Sequence, residues 1–182
     1  GRTGYLILAS LILLLMYQLY HTRGLWLGVI LVTFLSLFAY QTSDKVYERI
    51  EKVSTGFQDY AKGEETSVPM RISFIKNSVM LITQHPLLGA GTGSFSHQYE
   101  QLARPQGIKT TANPHNEYLM IAVQWGLLGT GIFISLLYQL LRTSFRLTSP
   151  YGWMAQGLVM TMAVGCLFNS FLLDTTEGHL FA

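Results

Sequence analysis

The chain has 182 residues, 49% of them hydrophobic and only 12% charged, about half the charged fraction of an ordinary soluble domain. A net charge of +2 is too small to point to nucleic acid, and a single cysteine, Cys166, leaves no disulfide framework and no thiolate metal cluster. Between Gly4 and Tyr40 the only fixed charge is Arg23, between Tyr118 and Asp174 only Arg142 and Arg146, and most of the rest fall between Gln41 and Glu117. That distribution describes an all-α, polytopic membrane protein with one large aqueous segment.

The chain opens straight into an apolar run without a signal-peptide pattern, as part of a longer polytopic protein would. Four spans are expected, over 5–20, 25–40, 117–141 and 153–173. "HTRG" leaves room only for a tight hairpin between the first two. Arg23, Arg142 and Arg146 put positive charge on one side, which the positive-inside rule makes cytoplasmic. The expected organisation is therefore two spans over 1–40, an outer helical loop over 41–116, and two more spans over 117–182 with an outward-facing end.

Within the outer loop, Val46, Ile50, Val53, Phe57 and Tyr60 recur at helical spacing, which predicts an amphipathic helix from Asp44 to Ala61. "KGEETSVP" breaks it. A second helix is expected from Pro69 to Gln84, with Ile72, Ile75, Val79 and Ile82 as its apolar stripe. "HPLLGAGTGSF" is too glycine-rich for helix. Its glycines resemble a phosphate loop, but no Lys-Ser/Thr follows and no strand–helix unit surrounds them, which favours a tight turn holding the loop on the membrane surface.

"NPHNE" then opens the third span. Asn113 is a good N-cap and Pro114 a good first helical residue, which places His115 in the first turn at the outer surface. The positive end of a helix disfavours imidazolium and attracts anions, so a histidine there can act as a general base beside a phosphate. It reads equally as an interfacial residue at a helix start. Arg71 and Arg2 are expected on the same side, where guanidinium groups can clamp phosphate or serve as a solvated residue and an interfacial anchor. Asp174, after the fourth span, is either an orienting carboxylate or a polar stop.

His115-Asn116, a nine-residue spacer, then Gly126-Leu127-Leu128-Gly129 resembles the signature of the bacterial O-antigen ligase family. "HPLLGAGTGSF" resembles the turn that precedes that signature, "GRTGYL" the family's Ser-Arg-Thr-like start of a span, with glycine in place of serine, and Arg71 its loop arginine. Such proteins are longer, so the resemblance is to their C-terminal part. It implies a GT-C-type glycosyltransferase of the bacterial inner membrane, with its site facing the periplasm. The donor would be an undecaprenyl-diphosphate-linked glycan and the acceptor a lipid A-core sugar, with membrane lipid around them. By that resemblance His115 is the base and Arg71 and Arg2 hold the diphosphate; Asn116, within the motif, and Asp174, by its position after the fourth span, are the candidates to support them. Without paired carboxylates, inversion in one displacement is expected; without an Asp-x-Asp motif or a ligand cluster, neither metal nor cofactor is. The superfamily also holds O-antigen polymerases and protein O-oligosaccharyltransferases. A non-enzymatic transporter would instead show charged or broken mid-span helices.

Overall fold

In a computed structural model of the protein the described residues are 2–44, 46–48, 51, 55 and 67–173, with no side-chain description for Arg2 and 67–69. Every regular element among the described residues is helical: α1 (Arg2–Thr42), α2 (Ser67–Gln84), α3 (Phe95–Ala103) with a 3-10 turn over Arg104–Gln106, α4 (Glu117–Ser144) and α5 (Tyr151–Phe168). By length and composition, α1, α4 and α5 can cross a membrane. The chain divides into two compact units, Gly1–Met70 and Arg71–Ala182.

In the first unit, a straight α1 would measure about 60 Å, twice a bilayer core. The helix instead breaks at His21, whose φ of 52° and ψ of −135° leave the helical region. The two limbs fold back on each other. A Cβ on Gly28 would lie 3.0 Å from Leu13 Cδ2 and 3.3 Å from Met16 Cβ, and one on Gly24 would run into the Met16 carbonyl. Gly24 and Gly28 are the buried residues of an otherwise mostly exposed second limb. Small residues four apart let two apolar helices approach closely where no hydrophobic effect pulls them together. The hairpin expected at "HTRG" is thus present, with its bend at the histidine. The amphipathic helix expected over 44–61 falls largely outside the described residues; residues 44, 46–48, 51 and 55 are helical.

α2 begins at Ser67, enters the second unit at Arg71 and ends at Gln84, before His85-Pro86, as the proline restriction requires. Its buried face differs from the expected stripe. Phe74, Asn77, Ser78 and Leu81 are buried, whereas Ile75 and Val79 are about half exposed. The helix is of the expected type; Ile75 and Val79 of its stripe point outward, where a lipid surface can cover them, and Ile72 and Ile82 are half-buried. The inward face uses Asn77, whose Nδ2 donates to the Tyr99 hydroxyl of α3 at 3.1 Å. Tyr99 is fully buried and packs between Phe95 and Phe74.

The expectation of one uninterrupted third span is corrected. α4 breaks at Gly126 (φ 65°, ψ −162°) and folds back, so that the rings of Tyr118 and Phe133 come within 5.5 Å. Fifteen residues apart on a straight helix they would be about 22 Å apart. The cause is the glycine-rich turn. Ala90 and Gly91 donate their N–H groups to the carbonyls of Val123 and Gln124, both at 2.9 Å. Beyond the break, Leu127 and Leu128 donate to the carbonyls of Pro86 and Leu87 at 2.8 and 3.2 Å. Trp125 Nε1 adds a bond to Thr92 Oγ1 at 2.9 Å, and Gly93 N–H donates to Gln124 Oε1. A helix broken within an apolar segment must have its freed peptide groups re-satisfied, and here the inserted turn does this. The turn therefore holds α4, which the tight-turn expectation did not foresee.

α5 packs on α4, with the Tyr118 hydroxyl donating to the Ala163 carbonyl at 3.0 Å. It ends at Phe168, five residues short of the expected span, and Phe171 folds back over Gly165, where any Cβ would collide with the ring. That fold-back returns residues 169–172 to the start of α4.

Candidate active site

The polar residues of "NPHNE" are all accounted for by one seam. Asn113 Oδ1 accepts from the His115 backbone N–H and from Ser170 Oγ, both at 2.7 Å. Asn116 Nδ2 donates to the Leu167 carbonyl at 3.0 Å, and its Oδ1 accepts from Leu119 N at 3.0 Å. Glu117, 3% exposed, accepts from Leu172 N at 3.1 Å. His115 Nδ1 lies 3.5 Å from Asn169 Oδ1. Each of these four residues therefore reaches one position in 167–172, and Pro114 is buried among them.

This corrects the local reading of the motif. The N-cap of α4 is Asn116, in extended conformation, and the helix begins at Glu117. Asn113 is not the cap; its carboxamide is engaged by Ser170, 57 residues away. His115 is not in the first turn. It precedes the helix with φ 54°, a left-handed conformation that non-glycine residues seldom adopt. The Asn113 side chain stabilises that backbone by closing a turn on the His115 N–H. One face of the imidazole packs on Phe74 of α2, with ring centroids 6.2 Å apart.

Of the other expected site residues, Arg71 lies on α2 one turn before Phe74 and extends its face, since residues three apart share a side of a helix. It is exposed, where Phe74 is buried. The structure thus brings His115, Asn116 and the Arg71 face of α2 into one neighbourhood. Arg2 is the first residue of α1 and belongs to the other unit. Asp174 lies outside the described residues. The residues missed by sequence reasoning are Phe74, Asn169 and Ser170. The signal for the last two was present in "LFNSF", where a polar pair ends an apolar run.

Beside the seam, the two limbs of α4 enclose a cleft of about 320 Å³, lined by Glu117, Ile121 and Gln124 on one limb, Phe133 and Leu136 on the other, and Leu172. His115 is not among its lining residues, so the cleft adjoins the histidine without enclosing it. The break in α4 is a feature a transporter would show, but the inserted turn bonds the backbone groups on both sides of it.

Helices able to cross a membrane, two of them folded back on glycine contacts, and a polar histidine seam define a multi-pass membrane protein with a candidate reaction site on a helix start. A sequence profile described as O-antigen ligase matches residues 1–134, which include His115-Asn116 and the Gly126–Gly129 pair. The chain belongs to the O-antigen ligase family, whose membership assigns it to ligase- or polymerase-type glycosyl transfer in O-antigen processing. No curated protein matches it.

Proposed function

We propose that the protein transfers a glycan from undecaprenyl diphosphate to a hydroxyl of a lipid A-core sugar, at the periplasmic face of the bacterial inner membrane. The observation that carries this reading is His115, held in a left-handed backbone by Asn113 and against Phe74, one helical turn from Arg71. A residue held in a rare backbone conformation, with its ring packed on one side, is placed for positioning. In the proposed reaction the acceptor hydroxyl oxygen attacks the anomeric carbon. The bond from that carbon to the diphosphate oxygen breaks, and its electron pair leaves with the diphosphate. The hydroxyl proton passes to His115, and the configuration inverts. Arg71 holds the leaving charge, a role in which the guanidinium fork surpasses an ammonium, and the family resemblance gives Arg2 the same role. This assignment needs no metal, because fixed cations neutralise the diphosphate.

The test uses purified protein, undecaprenyl-diphosphate glycan and a lipid A-core acceptor, with donor binding and product measured separately. His115→Ala should lower transfer by about 10²–10⁴-fold and leave donor binding intact. Arg71→Lys should weaken donor binding although the charge is kept. Transfer by His115→Ala at near the wild-type rate would remove the base assignment. Transfer to a growing glycan or a protein, but not to the core sugar, would move the protein to a sister activity.

A further inference from the structure

We propose that Asn169 is a positioning residue for His115: its carboxamide oxygen takes the Nδ1 proton and so leaves Nε2 unprotonated for the acceptor hydroxyl. The inference rests on reading His115 as the base. A neutral imidazole has one N–H and one lone pair, and the hydrogen bond made by one nitrogen decides which nitrogen is basic. Asn169 Oδ1 lies 3.5 Å from His115 Nδ1. An amide oxygen cannot donate, so that contact is attractive only when Nδ1 carries the proton. General-base contacts of this length shorten when substrate closes the site.

Three further observations fix Asn169 in place. It is the C-cap of α5, in extended conformation, with its backbone N–H bonded to the Gly165 carbonyl at 2.9 Å. Its neighbour Ser170 is bonded to Asn113, which itself holds the His115 N–H. Phe171 locks over Gly165. The backbone and ring of His115 and the carboxamide that faces its Nδ1 are therefore parts of one seam. Among the described residues no hydrogen bond is made by His115 Nε2, the nitrogen this arrangement reserves for the proton.

Asparagine does this differently from the buried carboxylate of a serine-protease triad. It selects the tautomer without adding a charge that would stabilise imidazolium. On the elements around the ring, the titratable and charged side chains are Arg71 and Lys76 of α2, His97, Tyr99 and Glu100 of α3, Glu117, Tyr118, Tyr138 and Arg142 of α4, and Tyr151 and Cys166 of α5. All are unchanged in Asn169 variants, so a shifted profile reports the new residue at 169.

The experiment uses the full chain in detergent with ¹⁵N-labelled histidine, His115 being assigned by the signal lost in His115→Gln. At a pH where histidine is neutral, the wild type should show Nδ1 protonated and Nε2 not; Asn169→Ala should show a mixture or the opposite tautomer. In transfer assays Asn169→Ala should lower kcat about 10–100-fold with donor binding unchanged. Asn169→Asp, of the same shape, should keep the tautomer and move the acid limb of the rate profile to higher pH, because the new carboxylate favours imidazolium. An unchanged tautomer in Asn169→Ala, or an unmoved acid limb in Asn169→Asp, overturns the proposal. The two readings separate cleanly. A fully active His115→Ala sinks the base assignment itself, whereas an inactive His115→Ala beside an Asn169→Ala of wild-type rate sinks only the role of Asn169.

Discussion

A Cβ placed on Gly126 would stand 2.7 Å from the backbone nitrogen of Gly89, and both glycines have left-handed backbones, φ 65° and 71°. The two residues are 37 positions apart; a Cβ on Gly126 would also run into the Leu87 carbonyl, and one on Gly89 into the backbone of Gln124 and Trp125. Replacing either by alanine combines left-handed strain of about 1–2 kcal/mol with overpacking of about 1–3 kcal/mol. Gly126→Ala and Gly89→Ala should each lower the melting temperature in detergent sharply and reduce accumulation in the membrane. Gly91→Ala is the control, because nothing lies within 4 Å of its Cβ position and only the backbone term applies. Equal effects at all three positions would mean that the inserted turn does not hold α4.

Tyr99 carries a prediction about pH. Burial pushes its hydroxyl above the usual tyrosine range, against a smaller opposing effect from the Asn77 hydrogen bond. A raised folded value means that the folded chain keeps the proton after the unfolded chain has lost it. The contribution is complete below about pH 10 and is lost as pH rises through the folded value. Tyr99→Phe leaves Asn77 Nδ2 short of its acceptor, at a cost of about 1–3 kcal/mol at neutral pH. The stability gap between wild type and Tyr99→Phe should therefore narrow above about pH 10. A gap that stays constant into alkali would show that Tyr99 ionises without penalty.

Sidedness can be tested by single-cysteine labelling in intact cells, since the native Cys166 is buried and silent. Thr110 and Thr148 are both exposed, the first before the His115 turn and the second between α4 and α5. The neighbours Thr111 and Ser144 are unsuitable, because Thr111 is bonded within a turn with Asn113 and Ser144 is 1% exposed. Cysteine at Thr110 should react with an impermeant reagent and cysteine at Thr148 should not. Reaction at Thr148 would reverse the orientation drawn from Arg142 and Arg146.

The long apolar runs made the helices legible, and "HTRG" located the first hairpin, because both signals are local. Three features were decided by distant partners and escaped. Asn113-Pro114 has every property of a helix start, yet Asn116 takes the cap while Asn113 bonds to Ser170. The apolar stripe of α2 marked the helix but not its inward face, which Phe74, Asn77, Ser78 and Leu81 form through partners elsewhere in the chain. Gly126 looked like part of a spaced motif on an unbroken span, and only the turn at 85–91 shows what its missing side chain makes room for. His115 stood out as a candidate because its chemistry is unusual at a membrane surface; Asn169, an ordinary residue at a helix end, became visible only through its distance to the ring.

The seam has a consequence for how this protein can be recombined. The family match ends at residue 134, yet every side chain in "NPHNE" that makes a polar contact is answered from residues 167–172. A hybrid that keeps the first 134 residues and borrows its last helix from elsewhere would preserve the recognisable text while exchanging the grip on its histidine. In this chain the candidate site is a pair of short strips that must travel together, and a graft of the tail is where it is expected to fail first.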